Sequence, residues 1–237
     1  MRSGTREAAN PPRAGHAFVA RRRIAAGGLP CTLATVILAA GGSARLGRPK
    51  QLVRLHGRTL LDRAVSAALA ATEGPVIVVV GADGLRLRSV VARWRTRRVE
   101  IVHHAGWREG MSSSLRRGLD TVPHGARGVL FMLADQPHVD ARSLERLIAA
   151  WRRRPSEPAA AVYSGRLGVP AILPRSAFGT LRKLAGDEGA RRVLATAPRV
   201  ARVDLPEAAV DVDTAEDLRK LVRRPARRFG PAHRSRS

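Results

Sequence analysis

The stretch VILAAGGSARLGRPKQL, from Val36 to Leu52, joins an apolar run to a glycine-rich loop that contains Arg45 and Lys50. The apolar run is short and partly β-branched, as a buried strand is. Glycines let backbone N–H groups approach an anion closely, and the two cations add positive charge. The stretch therefore predicts a strand that ends in an anion-binding loop.

Two common phosphate-binding loops do not fit this stretch. Gly42 and Gly47 have the spacing of a P-loop, but Arg48-Pro49 follow where Lys and Ser or Thr are required. The G-x-G-x-x-G pattern of dinucleotide-binding loops is also missing from Gly41–Arg45. What remains is either a glycine-rich loop whose backbone N–H groups can approach a triphosphate, or an ordinary exposed turn with two surface cations.

Apolar runs alternate with segments of helical period on both sides of this stretch. The predicted strands are Thr35–Leu38, Val76–Val80, Val99–Val102, Val129–Leu133, Ala159–Val162, Val169–Leu173 and Val200–Val203. The predicted helices are Leu60–Ala71, Leu85–Trp94, Ser112–Val122, Ala141–Arg153, Glu188–Ala195 and Thr214–Val222. Alternation of this kind predicts one Rossmann-like, three-layer α/β domain over residues 33–222, with a mainly parallel sheet.

Composition limits the remaining possibilities. The chain has 237 residues, of which 44% are hydrophobic, and no apolar run is long enough to span a membrane. Its single cysteine, Cys31, cannot form an internal disulfide, which favours a reducing, cytoplasmic location.

The net charge of +24 is concentrated partly at the two ends. Residues 1–32 carry net +5 and are predicted to be a disordered basic leader, and residues 223–237 carry net +6 and are predicted to be a disordered basic tail. A basic nucleic-acid-binding protein is the alternative that this charge suggests. Only 3% of residues are aromatic, so stacking platforms for single strands are scarce and a nucleic-acid partner is not favoured.

Acidic residues follow two later strands. Asp135 comes after the strand Val129–Leu133, and Pro137 then turns the chain. In VDVDTAEDL, Asp211 and Asp213 lie on one side of an extended segment. One or two carboxylates suffice to hold Mg²⁺ on the phosphates of a nucleoside triphosphate, although a lone Asp at a strand end is also a common turn residue. Thr214 and Asp217 are predicted to cap the last helix.

Two further loops complete the set of candidates. GMSSSLRRGL places Ser113 and Ser114 at a helix start, where free N–H groups attract anions or a base edge, unless the serines merely cap the helix. The second half contains GRLGVP and GDEGAR, which are considered with the family below.

Taken in order, the segments LAAGGSARLGRPKQL, LADQP, GMSSSLRRGL and GDEGAR resemble those of the MobA/MocA-like molybdenum cofactor nucleotidyltransferases. The resemblance covers about Ala34–Leu221. It implies the glycosyltransferase-A-like fold of nucleotide-diphospho-sugar transferases. The family's G-x-P turn often has a polar middle residue, where this chain has Val169, and this weakens any substrate contact assigned to that position.

The resemblance also implies roles for individual residues. Arg45 and Lys50 would be catalytic, and Asp135 and Asp213, with Asp211 behind them, would bind Mg²⁺. The implied nucleotide-binding residues are Leu38, Ala39, Ala40, Gly41, Gly42, Ser43, Gly81, Ser113 and Ser114. The implied acceptor-binding residues are Gly168, Pro170, Asp187 and Arg191.

The reaction that the family implies is transfer of CMP from CTP to the phosphate of molybdopterin, with release of pyrophosphate. Ala39-Ala40 favours CTP, because guanylyl-transferring relatives tend to have a glycine there. The expected protein partners are a molybdenum hydroxylase apoenzyme or its insertion chaperone. Related transferases that use GTP, or an isoprenoid, sugar or phospholactate acceptor, stay open.

Overall fold

The computed structural model describes residues 33–43, 46–92, 94 and 98–223. The predicted leader, residues 1–32, and nearly all of the predicted tail lie outside this range, as does Arg45. The strands are β1 (Leu33–Ala39), β2 (Arg54–Leu55), β3 (Arg58–Thr59), β4 (Val76–Val80), β5 (Val99–His103), β6 (Gly128–Leu133), β7 (Ala159–Tyr163), β8 (Arg166–Pro174) and β9 (Ala201–Asp204).

Seven α-helices and several short 3-10 helices connect these strands in the described part of the chain. The α-helices are α1 (Leu60–Ala71), α2 (Gly84–Ala92), α3 (Met111–Leu119), α4 (Ala141–Arg153), α5 (Phe178–Arg182), α6 (Ala190–Thr196) and α7 (Ala215–Arg223). The 3-10 helices are Lys50–Leu52, Trp107–Glu109, Arg175–Ala177 and Pro206–Ala209. None of the described helices is long and apolar enough to cross a membrane.

The central sheet has seven strands in the order β5-β4-β1-β6-β8-β7-β9. β8 is antiparallel to both of its neighbours, and the other pairings are parallel. Val36, in the middle of β1, lies opposite Ile77 on one side and Phe131 on the other. The mostly parallel α/β fold predicted from the sequence is confirmed.

Two apolar layers cover the sheet. On one face, Leu61 of α1 and Leu147 and Trp151 of α4 pack in one core cluster. On the other face, Leu115 of α3 and Val193 of α6 pack in a second cluster. Each fully buried leucine contributes about 2 kcal/mol of hydrophobic stabilisation. Burial on both faces explains why β1, β4 and β6 are almost continuously apolar.

The direction of β8 is the main difference from the predicted fold. β7 and β8 form a hairpin whose two turn residues, Ser164 and Gly165, have φ angles of 49° and 72°. Positive φ at both positions is typical of a two-residue hairpin turn, which reverses the chain without a crossover helix. β8 is also longer than the predicted strand Val169–Leu173. The small β2–β3 hairpin and α5 were not predicted.

The predicted cap of α7 is confirmed. The Thr214 hydroxyl accepts a hydrogen bond from the Asp217 N–H at 3.1 Å, and the Asp217 carboxylate accepts one from the Thr214 N–H at 2.8 Å. Hydrogen bonds from the Thr214 hydroxyl and N–H lower the pKa of Asp217. Leu221 of α7 packs with Val53 and Leu60, so the cap orients a helix that supports the segment after the glycine-rich loop.

Replacing Thr214 by alanine is expected to lower the free energy of unfolding at neutral pH by about 1 kcal/mol, because the cap is lost. A lowered carboxyl pKa stabilises the fold above the ordinary aspartate pKa and ceases to do so as the pH falls through the lowered pKa. The difference from wild type should therefore shrink below about pH 4. Urea denaturation of both proteins over a pH series measures this difference in the free energy of unfolding. Thr196→Ala is the control, since that exposed hydroxyl bonds only to carbonyls of its own helix.

Candidate active site

The carboxyl ends of the parallel strands meet at one edge of the sheet. Ala39 at the end of β1 lies opposite Val80 of β4, and Leu38 lies opposite Leu133 of β6. Ligands of open α/β sheets bind outside this edge. The loops that follow β1, β4, β5 and β6 carry most of the residues that the sequence predicts for the site.

Lys50 joins the two predicted metal ligands at this edge. Its Nζ donates a hydrogen bond to Asp213 Oδ1 at 2.8 Å and forms an ion pair with Asp135 Oδ2. Asp135 is buried, whereas Asp213 is partly exposed. Three residues that are far apart in sequence therefore form one charged cluster, called the Lys50–Asp135–Asp213 cluster below.

The electrostatics of the cluster keep Lys50 protonated. Burial alone would lower the pKa of Lys50, but the carboxylates of Asp135 and Asp213 outweigh it and the pKa is raised. Asp211 is exposed on one side, yet desolvation by the protein atoms around it and the charges of Asp135 and Asp213 raise its pKa to about 6. The positive charges of Lys50 and Arg191 lower the pKa of Asp211, but they do not outweigh the other two effects. Negative charge is thus in excess at this point, which is the setting a cation requires.

One carboxylate oxygen of Asp135 makes no hydrogen bond within the described structure and is available to bind a cation. Its Oδ1 is buried and has no hydrogen-bond partner there. No group of three or more His, Cys, Asp or Glu side chains in the described range is arranged to hold a metal ion. Two carboxylates fit Mg²⁺ or Mn²⁺ nonetheless, because such a hard cation keeps waters and takes other ligands from phosphates. Asp135 and Asp213 would hold the ion.

The glycine-rich loop after β1 is fixed from within. The Ser43 hydroxyl accepts a hydrogen bond from the Lys50 N–H at 3.0 Å, and Ser43 itself has a φ of 51°. Gly41 and Gly42 are exposed, whereas Ala39 and Ala40 are buried and Leu38 is half-buried. Gly41 and Gly42 are therefore the exposed residues directly after β1 whose backbone a phosphate could reach.

Trp107 packs against the loop from the side of β4. A Cβ atom on Gly42 would lie 2.7 Å from the Trp107 ring. A Cβ atom on Gly81 would lie 2.5 Å from the Ala40 carbonyl oxygen and 2.8 Å from Trp107 Cβ. Gly81, predicted to bind nucleotide, is buried beneath Trp107. Glycine is needed at both positions because the indole and the backbone fill the space.

The serines at the start of α3 are buried. The Ser113 hydroxyl donates to the Gly110 carbonyl at 2.7 Å, and its oxygen lies 2.8 Å from His104 Nε2. A hydroxyl has one proton to donate, so His104 donates from Nε2 in this arrangement. Burial lowers the pKa of His104, which favours the neutral ring. The Ser113 hydroxyl is therefore committed to the loop, and Ser114 is buried beside it.

Two of the predicted acceptor residues, Asp187 and Arg191, belong to a segment that lies next to the start of α3. The Gly186 carbonyl accepts a hydrogen bond from the Ser112 N–H at 3.0 Å, and Asp187 Oδ1 approaches Gly110 so closely that a Cβ there would lie 2.9 Å from it. The segment that contains Asp187 and Arg191 thus contacts the start of α3.

Tyr163 contacts two of the predicted acceptor residues, Gly168 and Arg191, and was missed by the sequence analysis. Its hydroxyl accepts a hydrogen bond from Arg191 Nη2 at 3.2 Å, and the guanidinium lies 5.9 Å from the ring centroid. The same hydroxyl fills the space that a Cβ on Gly168 would need. Pro170 is buried two residues further along β8. Tyr163 is the only tyrosine in the chain, but the residue alone carries no motif that could have marked it.

The fold and the charged cluster define a Rossmann-like α/β protein of the nucleotidyltransferase class. The chain belongs to the family of MobA-like NTP transferase domains, whose sequence profile matches residues 35–203. The family inferred from the four segments is therefore confirmed. The comparisons leave the nucleotide and the acceptor undecided, since the relatives carry different names.

Three relatives illustrate this range. The chain is 33% identical to nicotine blue oxidoreductase of Paenarthrobacter nicotinovorans, over 82% of this chain and 98% of that protein. It is 31% identical to a probable molybdenum cofactor guanylyltransferase of Opitutus terrae, over 55% of this chain and 66% of that protein. The crystal structure of Rv0371c from Mycobacterium tuberculosis H37Rv is similar with a TM-score of 0.70 and 32% identity, covering 82% of this chain and 99% of that one. Rv0371c has also been solved in complex with manganese, with a TM-score of 0.66 and 30% identity over 81% of this chain and 98% of that one.

Proposed function

We propose that this protein is a Mg²⁺-dependent nucleotidyltransferase that moves CMP from CTP to the phosphate of molybdopterin and releases pyrophosphate. The observation that carries the proposal is the Lys50–Asp135–Asp213 cluster at the carboxyl edge of the sheet, beside the glycine-rich loop. The relative named as a molybdenum cofactor guanylyltransferase supports the class of acceptor. The preference for CTP rests on Ala39-Ala40 alone.

The chemistry needs no nucleophile from the protein. An oxygen of the acceptor phosphate, already ionised at neutral pH, attacks the α-phosphorus, the bond from that phosphorus to the bridging oxygen breaks, and pyrophosphate leaves. The protein contributes positioning and charge stabilisation. Mg²⁺ held by Asp135 and Asp213 would neutralise charge on the phosphates when bound. The Lys50 ammonium contacts both carboxylates, so it can leave one of them and bind the α-phosphate while it stays paired with the other. Arg45 is proposed to contact the β- and γ-phosphates.

Arg191 is the proposed contact for the acceptor phosphate. Its guanidinium is held against Tyr163, which limits the conformations of a long side chain. The charge of Arg191 also lowers the pKa of Asp211, which lies beside the Lys50–Asp135–Asp213 cluster. A cation held in place on this side would attract an anionic acceptor towards the α-phosphate. Gly168, Pro170 and Asp187 are proposed to shape the same side.

One competing function has specific support. The relative named nicotine blue oxidoreductase is matched over 98% of its length. The glycine-rich loop here does not have the dinucleotide pattern, which argues against hydride chemistry on a bound dinucleotide. A purified sample that decolourised nicotine blue with NADH, while releasing no pyrophosphate from any nucleotide, would favour this alternative.

The proposal is tested by pyrophosphate release from CTP, GTP, ATP and UTP with Mg²⁺ and molybdopterin. We expect release with CTP and at least about tenfold less with GTP, because one well-placed contact to a base discriminates by about 1–3 kcal/mol. Reactions without acceptor and reactions with EDTA are the controls. Release with GTP instead would keep the reaction and overturn the base assignment. No release with any of the four would overturn the molybdopterin assignment.

A further inference from the structure

The chain contains two glutamines, and each directly follows a charged residue of the candidate site. Gln51 follows Lys50, and Gln136 follows Asp135. Both are almost completely buried, with 2% and 5% of their surface exposed. A buried amide is costly unless its polar atoms are paired, so the partners of these two side chains indicate what they do.

Gln51 closes the glycine-rich loop. Its Nε2 donates to the Ala39 carbonyl at 3.0 Å and to the Gly41 carbonyl at 3.1 Å. Carbonyl oxygens only accept, so the amide nitrogen must face them and the orientation of the amide is fixed. Gln51 thereby ties the end of β1 and the start of the loop to the 3-10 helix that contains Lys50.

Gln136 makes the equivalent pair of bonds on the other side of the site. Its Nε2 donates to the Val169 carbonyl at 3.0 Å and to the Ala208 carbonyl at 2.8 Å. Val169 belongs to β8 beside Gly168, and Ala208 lies in the segment that leads to Asp213. The adjacent Asp135 carbonyl accepts a hydrogen bond from the Val212 N–H at 3.2 Å.

The Gln136 amide acts only as a donor within the described structure. Its Oε1 is buried and has no hydrogen-bond partner there. An arrangement that leaves one polar atom unpaired is unfavourable in itself. The two hydrogen bonds of the Gln136 amide connect three separate segments: the residues after β6, the strand β8 and the segment that precedes Asp213.

We infer that Gln51 and Gln136 are positioning residues that fix the two halves of the site separately. Gln51 fixes the glycine-rich loop and Lys50 for the nucleotide, and Gln136 fixes Asp135, Asp213 and the acceptor-side strand. The assignment of one half to the nucleotide and of the other half to the metal and the acceptor rests on the proposed function. The two amides bond to different backbone segments, so each should act mainly on its own half of the site, with the ion pair between Lys50 and Asp135 as the link between the halves.

Gln51→Met and Gln136→Met test this inference, because methionine keeps the length of the side chain and removes the amide donors. Gln136→Met is expected to weaken Mn²⁺ binding, measured by electron paramagnetic resonance, by about 10- to 100-fold. It should also raise the KM for the acceptor, with the KM for CTP unchanged. Gln51→Met is expected to weaken CTP binding about tenfold, as expected for one lost hydrogen-bond pair, and to change the affinity for Mn²⁺ far less than Gln136→Met does. Each variant is the control for the other.

The inference is wrong if both variants weaken Mn²⁺ and CTP binding by the same factor, or if folded Gln136→Met binds Mn²⁺ like wild type. Should a methionine variant not fold, the leucine variant at that position takes its place, since it also removes the donors and adds no charge beside Lys50 or Asp135. Wild type that binds Mn²⁺ and CTP but releases no pyrophosphate would overturn the proposed function alone, because the binding comparison still decides the role of the glutamines. Wild type that binds neither would overturn both.

Discussion

Replacing Asp135 by asparagine is expected to lower kcat for nucleotidyl transfer by about a thousandfold, on the scale of losing one preorganised electrostatic contact. Asparagine keeps the shape of the side chain but removes the charge that would hold a divalent cation at the buried Oδ1. Lys50 would still be paired with Asp213, so the cluster would not collapse. Single-turnover pyrophosphate release measures the chemical step, and Mn²⁺ binding by the same variant tests the metal assignment separately.

Asp120→Asn is the matched control for this prediction. Asp120 is an exposed aspartate that forms a surface ion pair with Arg182 at 3.6 Å, away from the candidate site. Exposed pairs of this kind contribute about 0–1 kcal/mol, so the control should keep its activity and most of its stability. A folded Asp135→Asn protein with wild-type turnover and Mn²⁺ affinity would refute the role of Asp135 as a metal ligand.

The sequence predicted the fold and the placement of the loops because both depend on local patterns. Buried parallel strands appear as short apolar runs, and the edge at which ligands bind follows from the direction of the strands. Val36–Leu52 and the run before Asp135 therefore indicate at which edge of the sheet the candidate site lies. The direction of β8 was not predicted, because an apolar run has no direction; the Ser164-Gly165 pair in the hairpin was the available signal.

The contacts within the site were beyond local patterns. Lys50 and Asp213 are separated by 163 positions, and the sequence analysis assigned one to a phosphate and the other to a metal without pairing them. The depth at which Gly81 lies beneath Trp107 is likewise a property of tertiary packing. The roles predicted for these residues stay predictions until ligands are bound.

The two glutamines show a signal that was present and unused. Gln51 and Gln136 stand inside the segments PKQ and ADQP, yet an amide has no charge and no reactive atom that would attract attention. Their importance follows only from burial and from the carbonyl groups they contact. Buried polar residues beside a charged residue of a site are therefore worth testing in related sequences.

Replacing Lys50 by methionine is expected to reduce turnover by about a thousandfold and to destabilise the protein when no divalent cation is present. The variant loses the ammonium that neutralises Asp135 and Asp213, and removal of one partner from a buried pair costs about 3–5 kcal/mol. Because Asp213 is 45% exposed, solvent screening reduces this, and we expect a loss of about 2 kcal/mol in the free energy of unfolding. Urea denaturation without divalent cations measures it.

Divalent cations should then restore stability to Lys50→Met more than they stabilise wild type. In wild type, an incoming Mn²⁺ competes with the Lys50 ammonium for the two carboxylates, whereas in the variant it meets no competitor. Lys220→Met is the control, since it removes an exposed lysine that bonds to Glu216 at 2.7 Å on α7, where solvent screens the pair. If Mn²⁺ raised the Tm of all three proteins equally, Lys50 would not share its carboxylates with a metal, and its contact with Asp135 and Asp213 would be purely structural.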